Sequence, residues 1–180
     1  MRTRLVTWPH GRTIALDIAA WGVFHAATGY AVHRLDERSL NRDLWLLHPR
    51  AFEDEGRWYR KRLQIHRWKD RLPEAGALFA GGVSKRQLPS RDLDGLRLMA
   101  RETRRAELGH WAAMGCSPLF VLWNPPLASA LLISYGVAIN LPFIAVQRYN
   151  RGRLTLLIER RSRAQATTPR RIEGPHHDHS

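Results

Sequence analysis

Two apolar stretches separated by a long polar block dominate the pattern of this chain. Residues 13–32 and 112–146 are largely apolar, whereas residues 34–110 mix basic and acidic side chains. About twenty apolar residues rise about 30 Å as a helix, which matches the apolar core of a bilayer. The pattern therefore predicts a mainly α, small membrane protein with an N-terminal transmembrane helix, a helical polar and interfacial middle domain, and a Pro-broken C-terminal transmembrane region.

The changes in polarity also predict the boundaries of four regions. A membrane anchor over residues 1–33 is followed by the polar, interfacial helical domain over residues 34–110. The Pro-broken membrane region with a basic collar takes residues 111–153, and a basic, disordered tail takes residues 154–180.

The first apolar stretch has two interpretations. Arginines precede it and small residues near Ala26 would suit cleavage, as in a secretory signal. Asp17 interrupts what would be the apolar core of such a signal, which favours a retained anchor. An ionisable group is expensive in lipid, so Asp17 and His25 are expected near the interface or facing another helix.

The second apolar stretch is too long for one straight span. Asn124, Pro125 and Pro126 interrupt it, and proline stops a helix because it lacks the backbone donor. The residues before the break are too few to cross a bilayer, whereas residues 127–146 are enough. We therefore expect a re-entrant or interfacial piece followed by a true span.

The polar block contains a segment that suits a membrane surface. Residues 57–72 read RWYRKRLQIHRWKDRL, in which tryptophan and aliphatic residues alternate with basic ones. Such a helix fits the headgroup layer, because the rings lie at the boundary while guanidinium groups reach phosphate. An ordinary amphipathic helix packed on the rest of the domain would show the same pattern.

The net charge of +13 narrows the classes of partner. An arginine excess suits nucleic acid, an anionic membrane surface, or anionic donors such as coenzyme A and acyl carrier protein. The arginines flank apolar stretches instead of forming one basic module, which disfavours nucleic acid. Cys116 is the only cysteine, so neither an internal disulfide nor a cysteine metal cluster is expected.

The candidate chemistry lies where the polar block meets the second apolar stretch. Residues 102–111 read ETRRAELGHW, and on a helix Glu107 and His110 share a face. A carboxylate can then orient an imidazole at the boundary between water and lipid. The E-x-x-H spacing also occurs in di-iron helices, but one copy without partner carboxylates argues against a metal.

Three motifs give the chain a resemblance to a known family. The segments FEDEGRWYRKRLQIHRWKDRLPEAG from Phe52, ETRRAELGHW from Glu102 and NLPFIAVQRYNRGRL from Asn140 resemble the glycosyl-4,4'-diaponeurosporenoate acyltransferases of carotenoid biosynthesis. The resemblance implies transfer of a fatty acyl group to the 6-hydroxyl of glucose on a C30 carotenoid acid, in the pathway that ends in staphyloxanthin. The residues between Trp111 and Asn140 depart from the family pattern, notably at residues 123–126, which leaves the lipid acceptor open.

The motifs that match best supply the expected site. His110 and Glu107 are the expected catalytic pair, and the expected substrate-binding residues are Glu102, Arg104, Arg105, Trp111, Asn140, Gln147, Arg148, Tyr149, Asn150 and Arg151. His48 with Glu53 only approximates the H-x4-D motif of glycerolipid acyltransferases and is set aside. No metal and no bound cofactor is expected, and acyl-CoA or acyl carrier protein would supply the acyl group.

A mechanism follows from these expectations. His110 would take the proton from the sugar hydroxyl as it attacks the thioester, while Glu107 fixes the tautomer. The expected partners are membrane lipid, a glycosylated isoprenoid acceptor, the acyl donor and possible pathway enzymes, without nucleic acid. The expected location is the cell membrane with the polar block in the cytoplasm. The alternative function is a non-catalytic membrane protein that binds anionic lipid or scaffolds pathway enzymes.

Overall fold

The computed structural model describes residues 9–41, 44–72 and 92–167. These residues form helices joined by short turns and contain no strand, so the prediction of a mainly α fold is confirmed. The helices are α1 (His10–His33), α2 (Glu37–Asn41), α3 (Arg57–Arg62), α4 (Ile65–Trp68), α5 (Leu93–Cys116) and α6 (Pro126–Thr167); 3-10 turns cover Ala51–Gly56, Lys69–Arg71 and Ser117–Leu122.

The centre of the fold is the pair α5 and α6, which share the most extensive contact between elements. Asp92 begins α5 as its N-cap, since its carboxylate accepts a 2.8 Å hydrogen bond from the backbone N–H of Gly95. Many buried positions of each helix are three or four residues apart and so share one face. They include Leu96, Met99, Thr103 and Glu107 on α5, and Gly136, Asn140, Ile144, Gln147 and Arg151 on α6.

Helix α1 is held at both ends by polar contacts. Near its C-terminus, Arg105 donates hydrogen bonds of 2.7, 2.8 and 3.0 Å to the carbonyls of Val32, His33 and Leu35. A guanidinium in this position satisfies orphan helix carbonyls. Near the other end, Asp17 accepts from the Trp123 indole at 2.7 Å and from the Asn124 amide at 2.8 Å. Asp17 is therefore paired within the protein, at the proline break.

Helix α6 is the one helix in the described ranges that is long and apolar enough to cross a membrane. Its most apolar stretch has a mean hydropathy of 1.8, and 28% of that stretch is buried. At 42 residues it is about 63 Å long, roughly twice the thickness of a bilayer core. Its second half must therefore project beyond any membrane that its first half crosses. The N-terminal anchor stays a prediction.

Two sequence predictions need correction. The disordered tail was wrong for residues 154–167, because α6 continues as one helix to Thr167; the rest of the tail lies outside the described residues. The single helix over residues 57–72 is broken into α3 and α4. Gln64 has a φ of 49°, a left-handed conformation that interrupts the helix between them.

Candidate functional site

His110 lies on the face of α5 that meets α6. Its Nδ1 is 3.0 Å from Oδ1 of Asn140, and its ring stacks on Phe143 with centroids 4.6 Å apart and planes inclined by 13°. Asn140 is itself fixed, because its Nδ2 donates a 2.8 Å hydrogen bond to the carbonyl of Gly136 in the preceding turn. The imidazole is thus held in one plane by two residues that are three apart on α6.

These contacts determine the tautomer of His110. The Asn140 amide uses its N–H₂ group for Gly136, so its oxygen faces the imidazole and can only accept. Nδ1 therefore carries the proton as donor, and in the neutral ring the lone pair is on Nε2. An imidazole in this tautomer has the basic nitrogen that a general base needs. The sequence predicted Glu107 as the group that fixes the imidazole, whereas the partner observed at Nδ1 is Asn140.

Glu107 is the centre of a buried ion cluster. Its side chain has no exposed surface, and Oε1 accepts from Arg148 Nε at 2.7 Å and from Trp111 Nε1 at 3.2 Å. Its other oxygen, Oε2, accepts from Arg151 at 2.5 Å. A buried carboxylate with this many donors is compensated, and it is expensive to remove because the guanidinium groups would lose their counter-charge.

The same arginines bind the segment before α3. Arg148 also pairs with the buried Glu53 at 2.5 Å, and Arg151 donates a 2.9 Å hydrogen bond to the carbonyl of Leu47. Two buried carboxylates and two guanidinium groups therefore balance within one cluster. The cluster joins α5, α6 and residues 46–53.

Tyr59 from α3 completes the packing around Glu53 and Arg148. It belongs to the apolar cluster of Tyr59, Ile65, Val146 and Tyr149, and 5% of its surface is exposed. Burial, together with the charge of Glu53, raises the pKa of the Tyr59 hydroxyl. The phenol is therefore neutral at physiological pH.

A left-handed turn brings Glu53 to α6. Asp54, Glu55 and Gly56 have φ values of 48°, 54° and 90°, which is costly for the first two residues. The turn lies directly on α6 at Gly152, where a Cβ atom would be 2.6 Å from the carbonyl carbon of Glu55. Glycine is therefore required at position 152 for this approach.

Two cavities lie on either side of Arg50 and Arg148, which line both. The first has a volume of about 500 Å³, and we call it the arginine cavity because six arginines line it. Its charged lining comprises Arg50, Arg97, Arg101, Arg104, Arg148, Arg151, Glu53 and Glu55. The second, of about 520 Å³, is the aromatic cavity; its lining includes Trp45, Phe52, Trp58, Tyr59, Trp111 and Ile144. His110 lines neither cavity.

The remaining predicted site residues on α5 form contacts away from His110. Glu102 pairs with Arg105 at 3.2 Å, and Arg104 donates a 2.9 Å hydrogen bond to the carbonyl of Leu40.

The predicted residues on α6 also differ in their surroundings. Gln147 is buried on the α5-facing side of α6, and its Oε1 has no hydrogen bond. Tyr149 is in the apolar cluster, and its hydroxyl accepts from Arg153 at 3.3 Å. Asn150 is partly exposed. The catalytic assignment of His110 stays a prediction.

Sequence reasoning missed three features of this region. Glu53 was set aside with His48, although it is one of the two buried carboxylates. Phe143 could have been predicted from its spacing, because a residue three positions after Asn140 lies on the same face of a helix. The close approach of the left-handed turn to Gly152 could not be predicted, because the sequence shows only a glycine between two arginines. Among the described residues, no group of three His, Cys, Asp or Glu side chains is placed to hold a metal ion.

Comparison with known proteins identifies a family that matches the part of the chain containing α5 and most of α6. A family model described as glycosyl-4,4'-diaponeurosporenoate acyltransferase matches residues 43–160. A relative of that name from Staphylococcus haemolyticus is 33% identical over 121 residues, covering 67% of this chain and 70% of the relative. One from Staphylococcus aureus strain USA300 is 34% identical over 108 residues, covering 59% and 64% respectively. No solved structure matches. The resemblance predicted from the motifs is confirmed.

Proposed function

Because the chain belongs to the glycosyl-4,4'-diaponeurosporenoate acyltransferase family, we propose that it transfers a fatty acyl group to a glycosylated carotenoid or a related isoprenoid glycolipid. The donor in this proposal is a thioester, and the acceptor is the primary 6-hydroxyl of the glucose. The matched residues 43–160 include all of α5 and the first 35 residues of α6. The His110–Asn140–Phe143 group therefore lies within the part of the chain that defines the family.

The oriented imidazole is the single observation that carries the mechanism. Nε2 of His110 accepts the proton of the acceptor hydroxyl while that oxygen attacks the thioester carbonyl. The C–S bond then breaks, and the imidazolium returns the proton to the leaving thiolate. General-base help of this kind contributes about 10²- to 10⁴-fold. Asn140 supports the reaction through the tautomer that it selects.

The buried ion cluster has a different part in this proposal. Glu107 and Arg148 hold α5 and α6 in register, so that His110 on one helix meets Asn140 and Phe143 on the other. Reacting groups must be held near their productive geometry, because a small misplacement lowers the rate severely. Glu107 thus acts as a positioning residue for the helix pair.

The acceptor would reach this site from the membrane. The first half of α6 presents apolar side chains such as Leu131, Leu141 and Val137 to its surroundings, which suits contact with lipid and with a polyene chain. We propose a location in the cell membrane with the polar block on the cytoplasmic side, where thioester donors are found. Arg153, which is exposed just beyond the apolar stretch, suits contact with the headgroup phosphates at that side.

The test is mass spectrometry of lipids and pigments from cells that make the glycosylated carotenoid acceptor. Cells with the intact protein should contain an acceptor that has gained a fatty-acyl mass, and fragmentation should place the acyl group on the 6-oxygen. The His110→Gln variant should lack that product at equal protein level. A matched His66→Gln change, at an exposed position in α4, should leave the product unchanged.

Two outcomes would overturn the proposal. If the intact protein produces no acylated glycolipid, the chain is not a transferase for this acceptor, and a lipid-binding scaffold becomes the better account. If His110→Gln retains full product, the general base is another group.

A further inference from the structure

The arginine cavity offers a site for the donor, and this inference rests on the proposed acyl transfer. We propose that the cavity binds the phosphate groups of a phosphopantetheine thioester. The key cations are Arg97 and Arg101, which are one turn apart on α5 and so present their guanidinium groups to the same space. Arg50 also lines the cavity, on the segment that precedes the left-handed turn.

The charges of the cavity are unevenly compensated. Arg148 and Arg151 are balanced by the buried carboxylates of Glu53 and Glu107. In contrast, Arg97 pairs at 3.3 Å with Asp94, whose side chain is 90% exposed, and Arg101 pairs at 3.2 Å with Glu37, whose side chain is 69% exposed. Exposed pairs are worth little. A phosphate can therefore compete for these two guanidinium groups at small cost.

Arg50 adds a third weakly held cation. It donates a 3.0 Å hydrogen bond to the carbonyl of Trp45 and stacks on the Trp45 ring at 4.5 Å, which leaves its charge without a carboxylate in either contact. Guanidinium groups bind phosphate through paired N–H donors, and stacking on an aromatic ring preorganises them for this. The cavity volume of about 500 Å³ accommodates a diphosphate.

The position of the cavity along α5 selects the class of donor. At about 1.5 Å per residue, His110 is about 14 Å from Arg101 and about 20 Å from Arg97 along the helix axis. A phosphate bound at these arginines is therefore remote from the reacting carbonyl. In a phosphopantetheine thioester a long flexible arm separates phosphate from sulfur, which fits this offset.

Two other phosphate-bearing acyl donors fit poorly. In an acyl phosphate, the phosphate is bonded to the carbonyl itself and would have to lie beside His110. In a phospholipid, only glycerol carbons separate the ester from the phosphate. Neither molecule bridges an offset of about 14 Å or more along α5.

The test measures binding instead of turnover, so that it stands apart from the acyl-transfer test. The full chain in detergent micelles is titrated with coenzyme A, with pantetheine, which lacks phosphate, and with a phosphopantetheine-bearing acyl carrier protein. The variants are Arg97→Gln, Arg101→Gln and the double variant. Arg60→Gln, at an exposed position on α3 outside the cavity, controls for the general loss of positive charge.

We expect at least one of the two phosphopantetheine ligands to bind the intact protein more tightly than pantetheine. Each cavity substitution should weaken that binding about tenfold to a hundredfold, because each removes a charge-assisted contact. The control should bind as the intact protein does. Whichever ligand, coenzyme A or carrier protein, shows this dependence is the source of the phosphopantetheine.

The inference is overturned if neither ligand loses affinity in the double variant, or if pantetheine binds as tightly as both. Binding that depends on Arg97 and Arg101 in a protein that acylates no glycolipid would uphold the cavity assignment and refute the proposed acceptor. The His110→Gln variant should bind coenzyme A or the carrier protein normally, which separates the donor site from the catalytic group.

Discussion

Two groups at the same interface between α5 and α6 differ in burial and in the kind of partner that holds them. The Glu107 cluster is buried and ionised, and each carboxylate oxygen of Glu107 accepts from at least one guanidinium. The His110 group lies three residues further along α5. Its imidazole is partly exposed, and it contacts the Asn140 amide and the Phe143 ring.

The difference predicts that the Glu107 group contributes to stability and the His110 group to the proposed acyl transfer. A charge that is fully paired in a low-dielectric interior is fixed, since any loss of a partner is costly. A neutral imidazole with a defined tautomer can accept and release a proton without disturbing that balance. We therefore expect substitutions in the first group to unfold the protein, and substitutions in the second to lower the rate of a folded protein.

The largest effect is expected for Glu107→Gln. This change leaves Arg148 and Arg151 with an uncompensated buried charge, so the free energy of unfolding should fall by about 3–5 kcal/mol. Thermal unfolding of the protein in detergent measures it. Glu159→Gln, at a half-exposed carboxylate paired at 3.9 Å, should change the free energy by less than about 0.5 kcal/mol. A Glu107→Gln protein that is fully stable but inactive would make Glu107 catalytic and abolish the distinction.

His110→Gln should lower the rate of acyl transfer and leave the stability of the protein nearly unchanged. The rate of acyl transfer should fall about 10²- to 10⁴-fold because the general base is lost, while the midpoint of thermal unfolding stays close to that of the intact protein. Rates with purified protein and unfolding curves on the same sample measure both quantities. A large drop in stability with a proportionate loss of rate would place His110 among the structural groups.

Gly152→Ala tests whether the left-handed turn holds the ion cluster together. The new Cβ would be 2.6 Å from the backbone of Glu55, so the turn must shift away from α6, and the cost should be about 1–3 kcal/mol. Gly115→Ala, where a Cβ would meet no atom within 4 Å, is the matched control. Equal unfolding midpoints for the two variants would show that the turn does not lie on α6.

The smallest effect is expected for Asn140→Ala. Loss of the hydrogen bond to Nδ1 of His110 should lower kcat about tenfold, with KM little changed because no substrate contact is removed. Steady-state kinetics separates the two parameters, and Ser134→Ala, at an exposed position on α6, is the control. A rise in KM at constant kcat would assign Asn140 to substrate binding instead of to positioning.

Sequence periodicity predicted the elements better than their ends. The apolar stretches, the proline break and the helix that carries residues 102–111 were visible because each depends on local spacing. The continuation of α6 to Thr167 was missed, since its charged second half has the polar composition of a solvated tail. The break at Gln64 was missed because its left-handed backbone has no strong local signal.

The residues of the site were predicted better than their partners. The motifs pointed to His110, Glu107, Asn140 and Arg148, and all of them lie at the α5–α6 interface. The pairing expected from helical spacing joined Glu107 to His110. The contacts seen join each of these residues to α6 instead, across 41 and 30 residues of sequence.

The sequence by itself determined the helical class, the two apolar stretches, the family and the motifs that match it. These properties depend on composition and on residues close together in the chain. Only the tertiary structure decided that Asn140 selects the tautomer of His110 and that Glu107 pairs with Arg148 and Arg151. It also decided that Arg97 and Arg101 line the same cavity as Arg50. Such partnerships depend on how two helices meet, because a side chain binds the group that packing brings within reach, whatever their separation along the chain.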